Sequence, residues 1–383
     1  MAGSARRLPV YYSIASRPGP ARTTPPRRPG SVRRTTTHDS VRGDGIGGPV
    51  TVTARGRDLL TAADGTTRVL GATRVDALVA YPDTEILSIE LTPADDRVRA
   101  LTGARATAGF RGKVNEAMPG LRDSGEVRFQ LLDDLPTALL VSGYAVLAAS
   151  RRAPDEEDRP RKRHSLQAAD MCSGWVSGGV LMSGMDAVGR PPHFIGPIAP
   201  PVETPATPLA QHAEARSTGR PDGPPAGHAD DPLGWHETAP LRPHGMRRRR
   251  RIDVWLSDGA AHVEAFFRDS HFGPDDPENS GSPDATERVI HEYTVRATVD
   301  PATRTFTDCR AEFGALPWPE CPGALASAGR LAGAPVAGLR KRVRADFTGL
   351  GTCTHLNDTL RALEDIGALL DALDGTGPHQ VRW

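Results

Sequence analysis

The sequence is poor in most of what would announce a function. Aromatic residues make up only 5% of its 383 positions, so its cores must be light in large side chains. An excess of one charge sign is also absent. Lys+Arg and Asp+Glu both number 47, so no net field draws the molecule toward nucleic acid or an anionic membrane. No stretch approaches the roughly 18 apolar residues of a membrane span. The start, with Arg6, Arg7, Pro9, Tyr11 and Tyr12, lacks the apolar core of a secretory signal. These absences lead us to expect a soluble, cytoplasmic protein with neither nucleic acid nor membrane as a partner. Cysteine is scarce too: Cys172, Cys309, Cys321 and Cys353 stand far apart. In a reducing compartment that spacing points to metal binding, catalysis or plain burial ahead of disulfides. There is no CxxC pair and no HExxH helix. The glycines at Gly43, Gly45, Gly47 and Gly48 have neither dinucleotide-binding spacing nor the Lys-Ser/Thr of a P-loop, and they read as a hairpin turn.

What is present is length enough for two domains and a repeated order of patterns. Residues 1–30, rich in Arg, Pro, Thr and Ser, read as a tail. Residues 31–150 alternate as strands (PVTVTARGRDLL, TRVLGATRVDALVAYP, EILSIELTP) and then turn helical, giving a first α+β lobe. Residues 151–246 shift to charge runs and then to Pro, Gly and His, as a connecting segment does. Two apolar islands in it, around Cys172 and Trp175 and around Trp235 and His236, require burial. Residues 247–375 repeat the strands-then-helices order as a second lobe, and 376–383 form a short tail. The fold expected is α+β: two duplicated lobes, each an antiparallel sheet with three helices on one face, with the middle segment draped over both. The second lobe opens on Arg247–Arg251, which we read as a solvated strand edge, with Asp253 and His271 also facing solvent.

The longest clean helical pattern follows Gly351. Leu356, Leu360, Leu363, Ile366, Leu370 and Leu373 recur at steps of three and four, which puts Cys353 and His355 at the buried N-terminal end of an amphipathic helix. The partial positive charge there favours a thiolate. Aligning the two halves matches Gly103 with Gly333, Arg111 with Arg340, Val114 with Val343, Asp134 with Asp358 and Arg57-Asp58 with Arg268-Asp269. A tandem duplication accounts for these matches. In the same alignment Cys353 falls opposite Phe129, His355 opposite Leu131 and Cys321 opposite Leu91. The soft, titratable residues therefore belong to the second lobe, and the first is its structural partner.

Three readings share these residues. His291, Cys321, Cys353 and His355 could hold zinc or iron, since two thiolates and two imidazoles suit a tetrahedral ion. Without a metal, Cys353 would be a nucleophile, His355 or His291 its base and Asp358 an orienting group, provided that Cys353 lies in extended chain before the helix. Arg268 would then serve as an anion-binding group. In the third reading the cysteines are small buried apolar residues and His355 satisfies the helix end.

LPWPECPGALASAGRLAG and FTGLGTCTHLNDTLRAL resemble the bacterial family catalogued as domain of unknown function 2889. The shared features are the Arg-rich start at Arg247–Arg251, His291 within a strand, Cys321-Pro322 before a helix and Cys-Thr-His-Leu opening the last helix. The resemblance covers about residues 246–373, and the first lobe looks like the longer, two-part members. It implies a domain and no activity. A fold-level resemblance to iron-sulfur cluster scaffold proteins would put His291, Cys321 and the Cys353/His355 pair in the places of the scaffold ligands. A His replaces a Cys there, and the order of the last pair is reversed. The function expected is a metal- or thiol-dependent enzyme acting on a small organic substrate. The alternatives are a metal or iron-sulfur delivery module and a structural interaction protein. Oligomeric state is not legible.

Overall fold

A computed structural model describes residues 21, 23–42, 48–150, 169–183, 231–239, 241, 245–272 and 287–375. Gly43, Gly45 and Gly47 of the expected turn, the 376–383 tail and most of the connecting segment lie outside them. Eight strands form one antiparallel sheet: β1 (Ser31–Arg42), β2 (Val50–Thr61), β3 (Thr67–Val79), β4 (Ile86–Thr92), β5 (Met246–Ser257), β6 (Ala260–Phe272), β7 (Glu287–Asp300) and β8 (Thr305–Ala315). Their order is β4-β3-β2-β1-β5-β6-β7-β8. Each half is a four-strand meander, as the alternation implied. The two sheets expected are a single sheet, however, because β1 and β5 pair along their length from Ser31↔Trp255 to Ser40↔Met246.

Each meander is followed by helical chain. After β4 come a 3-10 segment (Asp96–Leu101), α1 (Phe110–Ala117) and α2 (Val127–Ser150). After β8 come a 3-10 segment (Cys321–Leu331), α3 (Leu339–Asp346), α4 (Thr354–Ala362) and α5 (Ile366–Leu373). Local details recur as well. Gly103 N–H bonds Ile86 O and Ala106 N–H bonds Thr84 O, while Gly333 N–H bonds Phe306 O and Val336 N–H bonds Arg304 O. Thr84 and Arg304 both take φ near +55°, at 57° and 53°. Glycine in left-handed backbone precedes α1 (Gly109, φ 90°) and α3 (Gly338, φ 75°), where a Cβ would be strained.

The five arginines of β5 are not a solvated edge. Their strand is central and all five are buried. Alternation sends Arg248 and Arg250 to the helix face, and Arg247 and Arg251 to the other. Each of these four meets acid: Arg248 meets Asp269 and Asp358, Arg250 meets Asp134, Arg247 meets Asp39, and Arg251 meets Asp253 and Glu264. Asp253, expected in solvent, is buried between Arg33 and Arg251, and His271 is also buried. A lone buried charge costs several kcal/mol, so burial here demands pairing.

The buried apolar side chains fall into two large clusters, one mainly from each half, with Val32 and Leu70 of the first half and Leu181 joining the second. A charged seam runs between them. Arg34, Arg111, Arg248, Arg250, Arg340 and Arg361 interlock with Asp58, Asp133, Asp134, Asp269, Asp358 and Asp365. Six cations thus meet six anions. Several pairs cross the lobes, among them Arg34–Asp365 at 2.8 Å and Arg250–Asp134 at 3.0 Å. The opposite face receives parts of the segments expected to be tail and linker. Arg27 holds Asp231 at 2.8 Å, and the His236 ring sits between the hydroxyls of Thr35 and Thr37 at 2.8 and 2.9 Å.

Candidate functional site

The site is built from β6, β7 and the start of α4. Asp269 and His291 are Cα partners across β6 and β7, and Tyr293 follows His291 by two residues on the same face. Cys353 is the residue just before α4, with extended backbone (φ −139°, ψ 132°). This is the placement that a Cys353–His355 partnership requires. From it the sulfur approaches Nδ1 of His355 at 3.8 Å and accepts the Tyr293 hydroxyl at 3.2 Å. The other nitrogen of His355, Nε2, lies 3.8 Å from Oδ2 of Asp269. Sulfur, imidazole and carboxylate therefore form a line.

His291 joins that line from the side. Its Nδ1 is 3.6 Å from Asp269 Oδ2, and its ring stacks on His355 with centroids 3.6 Å apart and planes 21° from parallel. Asp269 is anchored from behind by Arg248, through two bonds of 2.9 and 3.0 Å.

The electrostatics follow from these contacts. Burial alone would raise the Cys353 thiol, but the His355 ring, the Tyr293 hydroxyl and the Leu356 N–H outweigh it and hold the thiol below its ordinary value. Burial works against Asp269 as well. Arg248 foremost, with His291 and His355, keeps it far below the carboxylate range and so ionised. Burial pushes His291 down against the pull of Asp269, leaving a neutral ring. Tyr293 is driven up by burial and by Cys353, which keeps it a hydrogen-bond donor. Cys353 is 4% exposed, and the His355 side chain, at 17%, forms the more open rim.

The residues expected from the sequence separate into two groups. His291, Cys353 and His355 come together. Cys321 lies near Cys353 and Cys172, and burial followed by those two thiols pushes its own thiol well up. It is not part of the Asp269, His291 and His355 group, whose ligand-type atoms all lie within 4.8 Å of one another. Asp358 orients no site histidine, because it is held by Arg248 at 3.0 Å and Arg361 at 2.7 Å. Arg268 points to the opposite sheet face, where it pairs with Glu292. Alternation along β6 puts neighbours on opposite faces, so Asp269 takes the site position instead. Cys309 is buried core on β8. Asp269, Tyr293 and Arg248 were missed. Tyr293 was within reach of sequence reasoning, since a residue two past a site histidine on a strand shares its face.

The chain is thus an α+β protein built on one eight-stranded antiparallel sheet, with a buried thiol, imidazole and carboxylate centre in its C-terminal half. Residues 246–368, which hold every residue of that centre, match the family described as "Protein of unknown function (DUF2889)". No curated protein and no solved structure matches the chain. Among the described residues no helix is long and apolar enough to cross a membrane.

Proposed function

We propose that the C-terminal lobe is a thiol-dependent enzyme acting on a small organic substrate, with Cys353 as nucleophile. The observation that carries this reading is the two-sided placement of His355, with Nδ1 toward the Cys353 sulfur and Nε2 toward Asp269. A ring so placed can take the thiol proton while the carboxylate stabilises the resulting imidazolium. Asp269 is the orienting group, Tyr293 stabilises the thiolate by donation, and Arg248 fixes Asp269. The narrow exposure of Cys353 suits a small substrate. The test is the rate of iodoacetamide alkylation at Cys353 against pH. Alkylation well under way below pH 8.5, and shifted upward in His355→Ala, supports the centre; a profile of an ordinary buried thiol in both proteins removes it.

A second reading is favoured by the gathering of Asp269, His291 and His355, a donor set of two histidines and one carboxylate that suits zinc or iron. The stacked rings are its difficulty. An imidazole binds a metal through a lone pair in its own plane, and a cation between two face-to-face rings would sit about half the ring spacing out of each. One ring would have to swing. Elemental analysis of protein purified without oxygen decides the matter: near-stoichiometric metal, lost in Asp269→Asn and His291→Ala, supports this reading, and no metal removes it.

The repeated element order, the matching hydrogen bonds about Ile86 and Phe306, and the paired left-handed residues support a tandem duplication. On that reading Phe129 and Leu131, buried in the first core, stand where the second lobe has Cys353 and His355. The first lobe then supports the site without duplicating it.

A further inference from the structure

The 169–183 segment is separated in sequence from both lobes and yet is fastened beside the site. Ser173 N–H donates to Thr352 O at 2.9 Å, and the Ser173 hydroxyl donates to Leu350 O. This bond joins the residue after Cys172 to the residue before Cys353. Both cysteines carry extended backbone, with φ −156° at Cys172 and −139° at Cys353. Burial first and then Cys353 push the Cys172 thiol up to about 11, against the N–H groups of Gly174, Trp175 and Thr354, the residue that follows Cys353. A single backbone bond therefore sets the chain at Cys172 beside the chain at Cys353. A disulfide requires Cα atoms about 4.4 to 6.8 Å apart, a span that two residues flanking one such bond can meet.

Cys321 is the competing thiol. It stands behind the segment, packed on Gly174, where an added Cβ would lie 2.7 Å from its sulfur. It opens the 3-10 segment Cys321–Leu331, and among the described residues no backbone bond joins its neighbours to those of Cys353.

We propose that Cys172 is the resolving thiol of Cys353, so that a hydroperoxide admitted to the site oxidises Cys353 and Cys172 closes on it as a disulfide. The proposal rests on the thiolate reading given above and names the substrate class for it. In the first step the Cys353 thiolate attacks one peroxide oxygen. An S–O bond forms, the O–O bond breaks, and the departing oxide takes a proton from the His355 imidazolium. Sulfur loses two electrons and the peroxide gains them. In the second step the Cys172 sulfur attacks the Cys353 sulfur. The S–S bond forms, the S–O bond breaks, and the hydroxide leaves as water with the Cys172 proton. A buried nucleophile accords with a substrate this small: Cys353 and Cys172 are 4% and 6% exposed. The product would staple the 169–183 segment to the start of α4.

The test uses the full-length reduced protein, treated with equimolar hydrogen peroxide, quenched with N-ethylmaleimide in denaturant and mapped by peptide mass spectrometry. The expected result is a Cys172–Cys353 linked peptide as the main product. In Cys172→Ser, checked for folding by circular dichroism, the link is absent and Cys353 is recovered as sulfenic or sulfinic acid. A Cys321–Cys353 link overturns the assignment, as does overoxidised Cys353 beside an intact Cys172 thiol in the parent protein. Alkylation of the untreated protein separates the two levels. Ready alkylation of Cys353 with no disulfide removes the resolving role alone, while slow alkylation removes the thiolate centre beneath it.

Discussion

Arg33 of β1 and Arg247 of β5 make the same ion pair from opposite sides of the seam between the lobes. Arg33 reaches Asp253, its cross-strand partner on β5, and Arg247 reaches Asp39, its partner on β1. The β1–β5 register runs through Thr36↔Arg250, three residues from each pair, so a rotation about that point exchanges them. All four side chains are buried.

Breaking either pair should therefore be costly. Asp253→Asn and Asp39→Asn each leave an arginine buried without its carboxylate, and each should lose about 3 to 5 kcal/mol. Asp96→Asn, at a pair whose side chains are 71% and 82% exposed, should change stability by less than about 0.5 kcal/mol. Urea unfolding measures all three. Losses under about 1 kcal/mol at Asp253 and Asp39 would show that the seam pairs carry little.

Tyr293→Phe removes a hydrogen bond to the Cys353 sulfur while keeping the ring. The Cys353 thiol is held down partly by this donor, so losing it should raise the thiol. A hydrogen bond to a charged group contributes about 1.5 to 3 kcal/mol, so the midpoint of the alkylation profile should rise by about one to two pH units. An unmoved midpoint would mean that the hydroxyl does not touch the thiolate.

His236 gives the fold a pH dependence. Burial first, and then Arg57, Arg249, Arg55 and Arg247, push it from 6.5 to about 3. His38 is also lowered, by burial against the pull of Asp134. An unfolded chain takes up these protons below about pH 6.5 and the folded one does not. Their contribution to stability is thus complete above pH 6.5 and declines as pH falls, until the folded His236 itself titrates near 3. Each such histidine contributes a slope of about 1.4 kcal/mol per pH unit. His236→Gln should flatten the stability profile between pH 6 and 4 by about one proton's worth, measured as the change in urea-derived stability. Parallel profiles for the two proteins would place the proton elsewhere.

Gly125 packs directly against Ala368 of α5. It has φ +65°, and a Cβ there would lie 2.3 Å from the Ala368 Cβ. Gly125→Ala combines left-handed strain of about 1 to 2 kcal/mol with a clash against packed helix. It should destabilise by more than about 2 kcal/mol in a thermal melt, whereas Gly65→Ala, strained but in open space, should cost only the strain. Equal losses would mean that the lobes give way at this contact.

Much of the architecture was legible because it depends on local periodicity. Strict alternation marked β2 to β4 and β6 to β8, and the leucines from Leu356 to Leu373 marked the last helices. Arg247–Arg251 misled because the acids that permit their burial are remote. Asp39, Asp134 and Asp358 reach them only after the chain has folded. The site was legible in the same proportion. Cys353 and His355 were flagged by their place at a helix start, and His291 by its strand. Asp269 depends on its pairing with His291 at a register shift between Asp269 and Ser270, which no local pattern reveals. Arg268, its neighbour on β6, faces the other side of the sheet by alternation and pairs there with Glu292.

The rotation about Thr36 and Arg250 has one more consequence. Across β5, Arg247 and Asp253 stand at equal distances on either side of Arg250. Turned end for end about Arg250, a second copy of β5 would set Arg247 against Asp253, but also Arg249 against Arg251 and Arg250 against itself. β1 meets those three central arginines with Thr37, Thr36 and Thr35 instead. Two unlike strands in one polypeptide thus hold at the centre of the sheet an arginine run through which two copies of β5 would repel each other.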